Sequence, residues 1–156
     1  MKSMFKFALV ATTLALATSV TQAANTSASI PLTLTILKNC SISNVSPSIT
    51  IPSDASAGTG GFDVTCNTPY SISTSTGNTA SAQTFVLSTT LPNTTLDTII
   101  AVSGDGNAVP VNGSTPLSRT GLAVDQYTIS AALASPVTNI TPAGTYTDVL
   151  NVSVDY

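Results

Sequence analysis

The sequence has 156 residues, of which 7% are charged, with four Lys or Arg, seven Asp, and neither His nor Glu. So few cations leave no basic stripe to displace phosphate counterions, which excludes nucleic-acid binding and argues against docking on anionic lipid. The absence of His also leaves a metal site short of ligands, and we expect no metal and no cofactor.

The first 23 residues predict a secretory signal peptide. Lys2 and Lys6 supply a basic start, residues 7–20 are mostly apolar, and Thr21-Gln22-Ala23 places small residues at the two positions that a signal peptidase reads. The apolar part is too short for an ordinary membrane span, and a retained N-terminal anchor is the alternative. We therefore expect an exported chain without membrane insertion, for which a Ser/Thr/Asn surface suits a structural or adhesive role.

The exported part carries two cysteines, Cys40 and Cys66. In an oxidising compartment such a pair predicts a disulfide. The bond closes a loop of about 27 residues, and chain entropy then stabilises the fold by roughly 3–4 kcal/mol.

The only cations after Ala23 are Lys38 and Arg119, so the seven aspartates give the exported chain a net charge of −5.

Short apolar runs punctuated by Gly, Pro and Asn predict an all-β antiparallel sandwich of one domain. Gly104–Gly121 is predicted to be a long loop with a short strand at Val109–Val111. The predicted strands are Cys40–Val45, Ser48–Ile51, Gly61–Cys66, Tyr70–Thr74, Thr84–Thr89, Thr98–Val102, Gln126–Leu133 and Tyr146–Tyr156.

An additional strand precedes the first cysteine, at Ser29–Leu37. Its apolar residues alternate with small or polar ones, so one face is apolar. Pro31 lies within it and lacks the N–H for one ladder bond, which leaves the start of the paired segment open. A strand at this place either pairs within its own domain or is buried in a second copy of the chain. Its apolar face consists of Ile30, Leu32, Leu34 and Ile36.

The sequence also ends on an alternating strand. Leu150, Val152, Val154 and Tyr156 share one face, and polar residues lie between them. An apolar strand with nothing after it is expected to be either an exposed edge or the partner of a strand from elsewhere, and exposed apolar edges promote aggregation. The sequence therefore predicts a spare strand near one end and a vacancy beside the other.

Two segments carry a family resemblance. Residues 61–72, GFDVTCNTPYSI, and residues 142–148, PAGTYTD, with the strand that follows, resemble the spore coat protein U domain family, which includes the archaic, Csu-type chaperone-usher pilins. The position of the first cysteine directly after an alternating strand fits as well. The middle of the chain, residues 80–120, lacks the features typical of many members.

The resemblance implies an incomplete immunoglobulin-like sandwich that is completed by a donor strand. In such pilins a periplasmic chaperone lends the strand, and the N-terminal extension of another subunit replaces it at an outer-membrane usher. It implies three parts: a signal peptide at 1–23, a donor extension at 24–39 and a pilin domain at 40–156. The donor residues are Ile30, Leu32, Leu34 and Ile36, and the acceptor edge is the strand that carries Leu150, Val152, Val154 and Tyr156.

The implied function is a pilus subunit on the cell surface that supports attachment and biofilm formation, with copies of itself, a chaperone, an usher, minor pilins and a tip adhesin as partners. The alternative is a secreted monomeric coat or binding protein whose N-terminal strand pairs with its own sheet.

We expect no catalytic residues, because the chain has neither His nor Glu and both cysteines are predicted to be oxidised. A plain turn is favoured over a calcium site at Gly104–Asn107, and the tyrosines are predicted to be core or rim residues rather than a sugar-binding platform.

Overall fold

The structure is a computed structural model that describes residues 25–80 and 83–156. The predicted signal peptide lies outside the described residues. The chain divides into two units, one up to Thr35 and one from Ile36 to Tyr156. Residues 25–39 belong to no strand ladder. The described residues contain no helix, so none that is long and apolar enough to cross a membrane.

The described part of the second unit contains eleven strands, and every ladder between them is antiparallel. The first six are β1 (Cys40–Ser43), β2 (Gly58–Cys66), β3 (Tyr70–Thr76), β4 (Thr79–Ala80), β5 (Gln83–Ser88) and β6 (Thr95–Gly104). The others are β7 (Asn107–Val109), β8 (Leu117–Arg119), β9 (Val124–Leu133), β10 (Tyr146–Thr147) and β11 (Leu150–Asp155).

The strands form two sheets. The large sheet has the order β1-β2-β9-β6-β5-β10, with β4 also paired to β5 and β7 to β6, and the small sheet has the order β11-β3-β8. This is an all-β, immunoglobulin-like sandwich, as the sequence predicted.

The core lies between the sheets because inward residues alternate with exposed ones along the strands. On β3 the inward positions start with Tyr70 and Ile72, which are 4% and 0% exposed. The rings of Phe62 and Tyr127 stack with centroids 4.9 Å apart. Gly104 makes this possible, since a Cβ there would lie 2.5 Å from the Tyr127 ring. The main cluster is Phe62, Val64, Cys66, Tyr70, Ile72, Val102, Val109, Tyr127 and Ile129.

Two strand predictions are wrong. Ser48–Ile51 is not a strand, because Pro47 and Pro52 flank it and cannot donate to a ladder. The predicted strand Tyr146–Tyr156 is two strands in different sheets: β10 pairs with β5 and β11 with β3. Asp148 stabilises the passage of the chain from one sheet to the other, because its Oδ1 accepts the N–H groups of Asn78 and Val149 at 2.8 and 2.7 Å.

The predicted long loop Gly104–Gly121 is wrong in part, because it contains β7 and β8 and connects the two sheets. Asp105 and Gly106, with φ of 51° and 74°, form the two-residue turn of the β6–β7 hairpin. The predicted strand Val109–Val111 is shifted, because β7 ends at Val109 and Val111 makes a single bridge to Thr74. Residues 107–111 therefore pass from the β6 side of the large sheet to the β8 side of the small one.

Candidate assembly groove

The first candidate wall of a strand-binding groove is the edge strand β11. Its residues pair one to one with β3 from Leu150 to Asp155, and among the described residues no strand pairs with its other edge. Leu150, Val152 and Val154 are half-buried against the core, whereas the residues between them are exposed. The predicted edge residue Tyr156 lies just beyond β11 and is 54% exposed. The small sheet thus has an apolar edge with unpaired backbone groups.

The second wall is β1, the edge strand of the large sheet. Ile42 pairs with Val64, so both side chains lie on the same, inner face. Val64 is 0% exposed but Ile42 is 42% exposed. A core-facing isoleucine with this exposure shows that the core is open beside β1. Ile42 was not among the predicted groove residues, although its two-residue spacing from Cys40 places both side chains on the same face of β1.

The wall continues beyond β1 through residues 46–51. Ser46 donates its N–H to the carbonyl of Gly61 at 2.9 Å, and its Oγ accepts the N–H of Gly61 at 2.9 Å. These bonds hold the segment along the free side of β2, where Ile49 and Ile51 are half-buried. The two prolines keep it out of a ladder, but it still supplies apolar side chains to the wall.

Among the described residues, both walls are free edges of their sheets. Residues 107–111 link the β6 side of the large sheet to the β8 side of the small sheet. The opposite side of the small sheet is β11, and the opposite side of the large sheet is β1. We call β1, residues 46–51 and β11 together the groove, as the candidate site for a partner strand.

The predicted donor residues are largely exposed. The exposed fractions are 82% for Ile30, 93% for Leu32, 83% for Leu34 and 75% for Ile36. Four large apolar side chains at alternate positions expose an apolar stripe, which is typical of a surface that is covered by a partner.

The predicted disulfide is present. Cys40 and Cys66 are bonded and occupy paired positions of β1 and β2. It joins β1 to β2, the one strand that pairs with β1 among the described residues. The bond therefore fixes one wall of the groove.

A polar network that the sequence analysis missed links the two sheets near their ends. Arg119 on β8 donates to Asp125 on β9 at 2.7 Å, and the hydroxyl of Tyr70 on β3 donates to the same carboxylate at 2.6 Å. The hydroxyls of Tyr70 and Tyr127 are 2.8 Å apart. The side chains of Arg119 and Asp125 are only 12% and 13% exposed. The prediction that Tyr70 and Tyr127 are core residues is confirmed.

The network determines the charge state of its members. Burial alone raises the pKa of a carboxyl, but the hydrogen bonds from Arg119 and Tyr70 outweigh it and hold the pKa of Asp125 below its ordinary value. Burial, together with the bond to Asp125, raises the pKa of Tyr70. The carboxylate is therefore ionised and paired at neutral pH.

This arrangement predicts acid-sensitive stability. Because the folded pKa of Asp125 is lowered, its contribution is complete above the unfolded value of about 3.9 and is lost as the pH falls below it. We expect Asp125→Asn to lower the free energy of unfolding at pH 7 by about 1.5–3 kcal/mol, the range for hydrogen bonds to charged groups. The difference from the natural chain should shrink below about pH 4, as measured by urea unfolding across pH.

The control for this experiment is Asp97→Asn, which removes an exposed aspartate of β6. A stability gap between the natural chain and Asp125→Asn that stays constant from pH 7 to pH 2.5 would contradict the assignment.

Comparison with known proteins relates the sandwich to pilus proteins. No family model and no curated protein matches the chain. A chain of the CsuC–CsuE chaperone–tip adhesion subunit pre-assembly complex, from archaic chaperone-usher Csu pili of Acinetobacter baumannii, matches with TM-score 0.56 and 23% identity over 78% of this chain. A chaperone–tip adhesin complex of CFA/I fimbriae biogenesis matches with TM-score 0.52 and 15% identity over 75%. The fold is pilin-like.

At these sequence identities, the comparisons show a shared fold and nothing more. The matched parts make up 41% of both of those chains, so this chain spans about two-fifths of their length. The P pilus rod subunit PapA matches over 98% of its own length with 17% identity and a TM-score of 0.48. Among the described residues β11 has no strand on its outer edge, where an immunoglobulin fold would carry a further strand. The matched structures are pilus-assembly proteins rather than enzymes.

Proposed function

We propose that this chain is a structural pilus subunit of the archaic chaperone-usher class that polymerises by donor-strand complementation. Residues 30–36 of one copy fill the groove between β1 and β11 of the next. The observation that carries the proposal is the coincidence of two features in one chain: a core that is open at Ile42 and β11, and an exposed segment with apolar residues at strand spacing.

The two parts match in size. At about 3.3 Å per residue, a seven-residue donor from Ile30 to Ile36 spans roughly 23 Å and the six residues of β11 about 20 Å. The donor presents four apolar side chains, and β11 presents three toward the core. Pro31 cannot donate one ladder bond, so Leu32–Ile36 supply most of the pairing.

The energy of this contact is comparable to that of folding. Burying one Leu or Ile side chain contributes about 1.5–3 kcal/mol, so four contribute roughly 6–12 kcal/mol before backbone hydrogen bonds. A whole domain is stable by about 5–15 kcal/mol. The resulting junction between subunits behaves as part of the fold of each subunit.

The proposal assigns the other parts of the chain and its partners. Residues 1–23 are the signal peptide, 24–39 the donor extension and 40–156 the pilin domain. The chain passes through the periplasm with a chaperone, meets an outer-membrane usher, and joins copies of itself, minor pilins and a tip adhesin in a surface pilus for attachment and biofilm formation.

The first test is the heat stability of surface fibres from cells that produce the chain with its assembly components. We expect a ladder of oligomers in detergent that persists on warming and collapses to monomer only near boiling. The ladder should survive a reducing agent, because Cys40 and Cys66 are bonded to each other within one chain. A clean monomer from cells with all assembly components would instead favour a secreted monomeric protein.

A further inference from the structure

Asn67 holds the chain where the extension joins the sandwich. It directly follows β2, and its N–H donates to the carbonyl of Asn39 at 3.0 Å, which continues the β1–β2 ladder past the disulfide. Its side chain makes two more bonds: Oδ1 accepts the N–H of Asn39 at 2.7 Å, and Nδ2 donates to the carbonyl of Leu37 at 2.8 Å. Three hydrogen bonds thus hold Leu37 and Asn39 beside Asn67.

Insertion of the extension into the groove of its own copy would need a different backbone there. β1 borders the groove and begins at Cys40, so residues 30–36 would have to run back along β1, with Leu37–Asn39 as the loop of a hairpin. Three-residue hairpin loops are common, so chain length does not prevent this reversal. The bond from Asn67 to the Leu37 carbonyl opposes it, because that carbonyl would have to turn away from β2 and give up the bond.

The competition matters because self-insertion is intramolecular. A short tether gives an effective concentration in the millimolar range, so a groove that is free to take its own extension would outcompete most second copies. A subunit that donates its extension therefore benefits from an interaction that directs the extension away from its own groove. Within the described residues, only Asn67 contacts both ends of the Leu37–Asn39 segment by side-chain hydrogen bonds.

We propose that Asn67 is a positioning residue that disfavours closure of the groove by the chain's own extension and so keeps the extension more available to a second copy. The inference rests on the proposed function. An aspartate at this position keeps the acceptor for Asn39 but loses the donor to Leu37, and an alanine loses both.

The test is hydrogen exchange of the backbone amides of residues 32–36 in dilute, monomeric full chain. We expect little protection in the natural chain, about tenfold more in Asn67→Ala, and an intermediate value in Asn67→Asp, in line with the strength of one to two exposed hydrogen bonds. Adding Leu34→Asp to Asn67→Ala should remove the protection. Asn139→Ala, which changes an exposed asparagine in another loop, is the matched control.

The outcomes separate this proposal from the proposed function. If Asn67→Ala leaves residues 32–36 unprotected while the natural chain forms fibres, Asn67 has no such role but the pilus assignment stands. If the expected protection appears but the natural chain forms no fibres, the role of Asn67 stands and the pilus assignment fails. Protection in the natural monomer, lost in Leu34→Asp, would overturn both.

Discussion

Leu34→Asp is expected to abolish fibre formation while leaving the sandwich folded. Leu34 lies in the middle of the proposed donor and is 83% exposed in the single chain, so the substitution removes nothing from the core of its own subunit. In the groove it forfeits about 1.5–3 kcal/mol of apolar burial and places a carboxylate without a cation in an apolar site, at a cost of several kcal/mol. A loss of about 4 kcal/mol weakens the junction roughly a thousandfold.

Thr33→Asp is the matched control. Thr33 is adjacent, and in a strand its side chain points to the other face, toward solvent, so the same new charge should be tolerated. Fibre yield and the heat-resistant ladder report assembly, and the near-ultraviolet circular dichroism of the monomer reports folding. An unfolded Leu34→Asp monomer beside a folded Thr33→Asp monomer would show that the strand belongs to its own domain.

Removal of the disulfide has the next largest expected effect, on stability. The bond spans a sequence separation of 26, and a loop of that length contributes roughly 3–4 kcal/mol. We expect the double variant Cys40→Ser, Cys66→Ser to melt about 10–20 °C below the natural chain, given the entropy of unfolding of a domain of this size. β1 should detach first, because the large sheet holds it on only one side.

The control for the disulfide is the neighbouring pair of the same ladder. Ser41 and Thr65 are paired and both are exposed, so Ser41→Ala with Thr65→Ala changes two side chains without breaking a cross-link. Scanning calorimetry of both double variants, with and without reductant, gives the comparison. A cysteine variant that melts within 2 °C of its control, or about 0.5 kcal/mol, would show that the bond is dispensable.

Local patterns predicted much of the fold. Alternation over Gly61–Cys66 and Tyr70–Thr74 gave strands that the structure extends by a few residues, and the two cysteines gave the disulfide. The strands follow from the two-residue period of apolar side chains, and the disulfide follows from export to an oxidising compartment. Both signals can be read from a single sequence. The prolines that flank Ser48–Ile51 argue against a strand there, so this error could have been avoided from the sequence.

The other features depend on contacts that no local pattern contains. The split at Asp148 arises because its carboxylate accepts the N–H of Asn78, a residue 70 positions away. Arg119 and Asp125 are close in sequence, but their burial depends on Tyr70 from another strand. Ile42 has an ordinary strand position, and its exposure follows only from the lack of a strand beside β1 among the described residues.

The most direct test of donor-strand complementation is the structure of the assembled fibre at residue resolution by electron cryo-microscopy. We predict that residues 30–36 of one copy pair with β11 of a second copy, with Leu34 buried between that strand and β1. Density showing residues 30–36 beside the β11 of their own copy, or a β11 edge that stays unpaired in the fibre, would contradict the proposal.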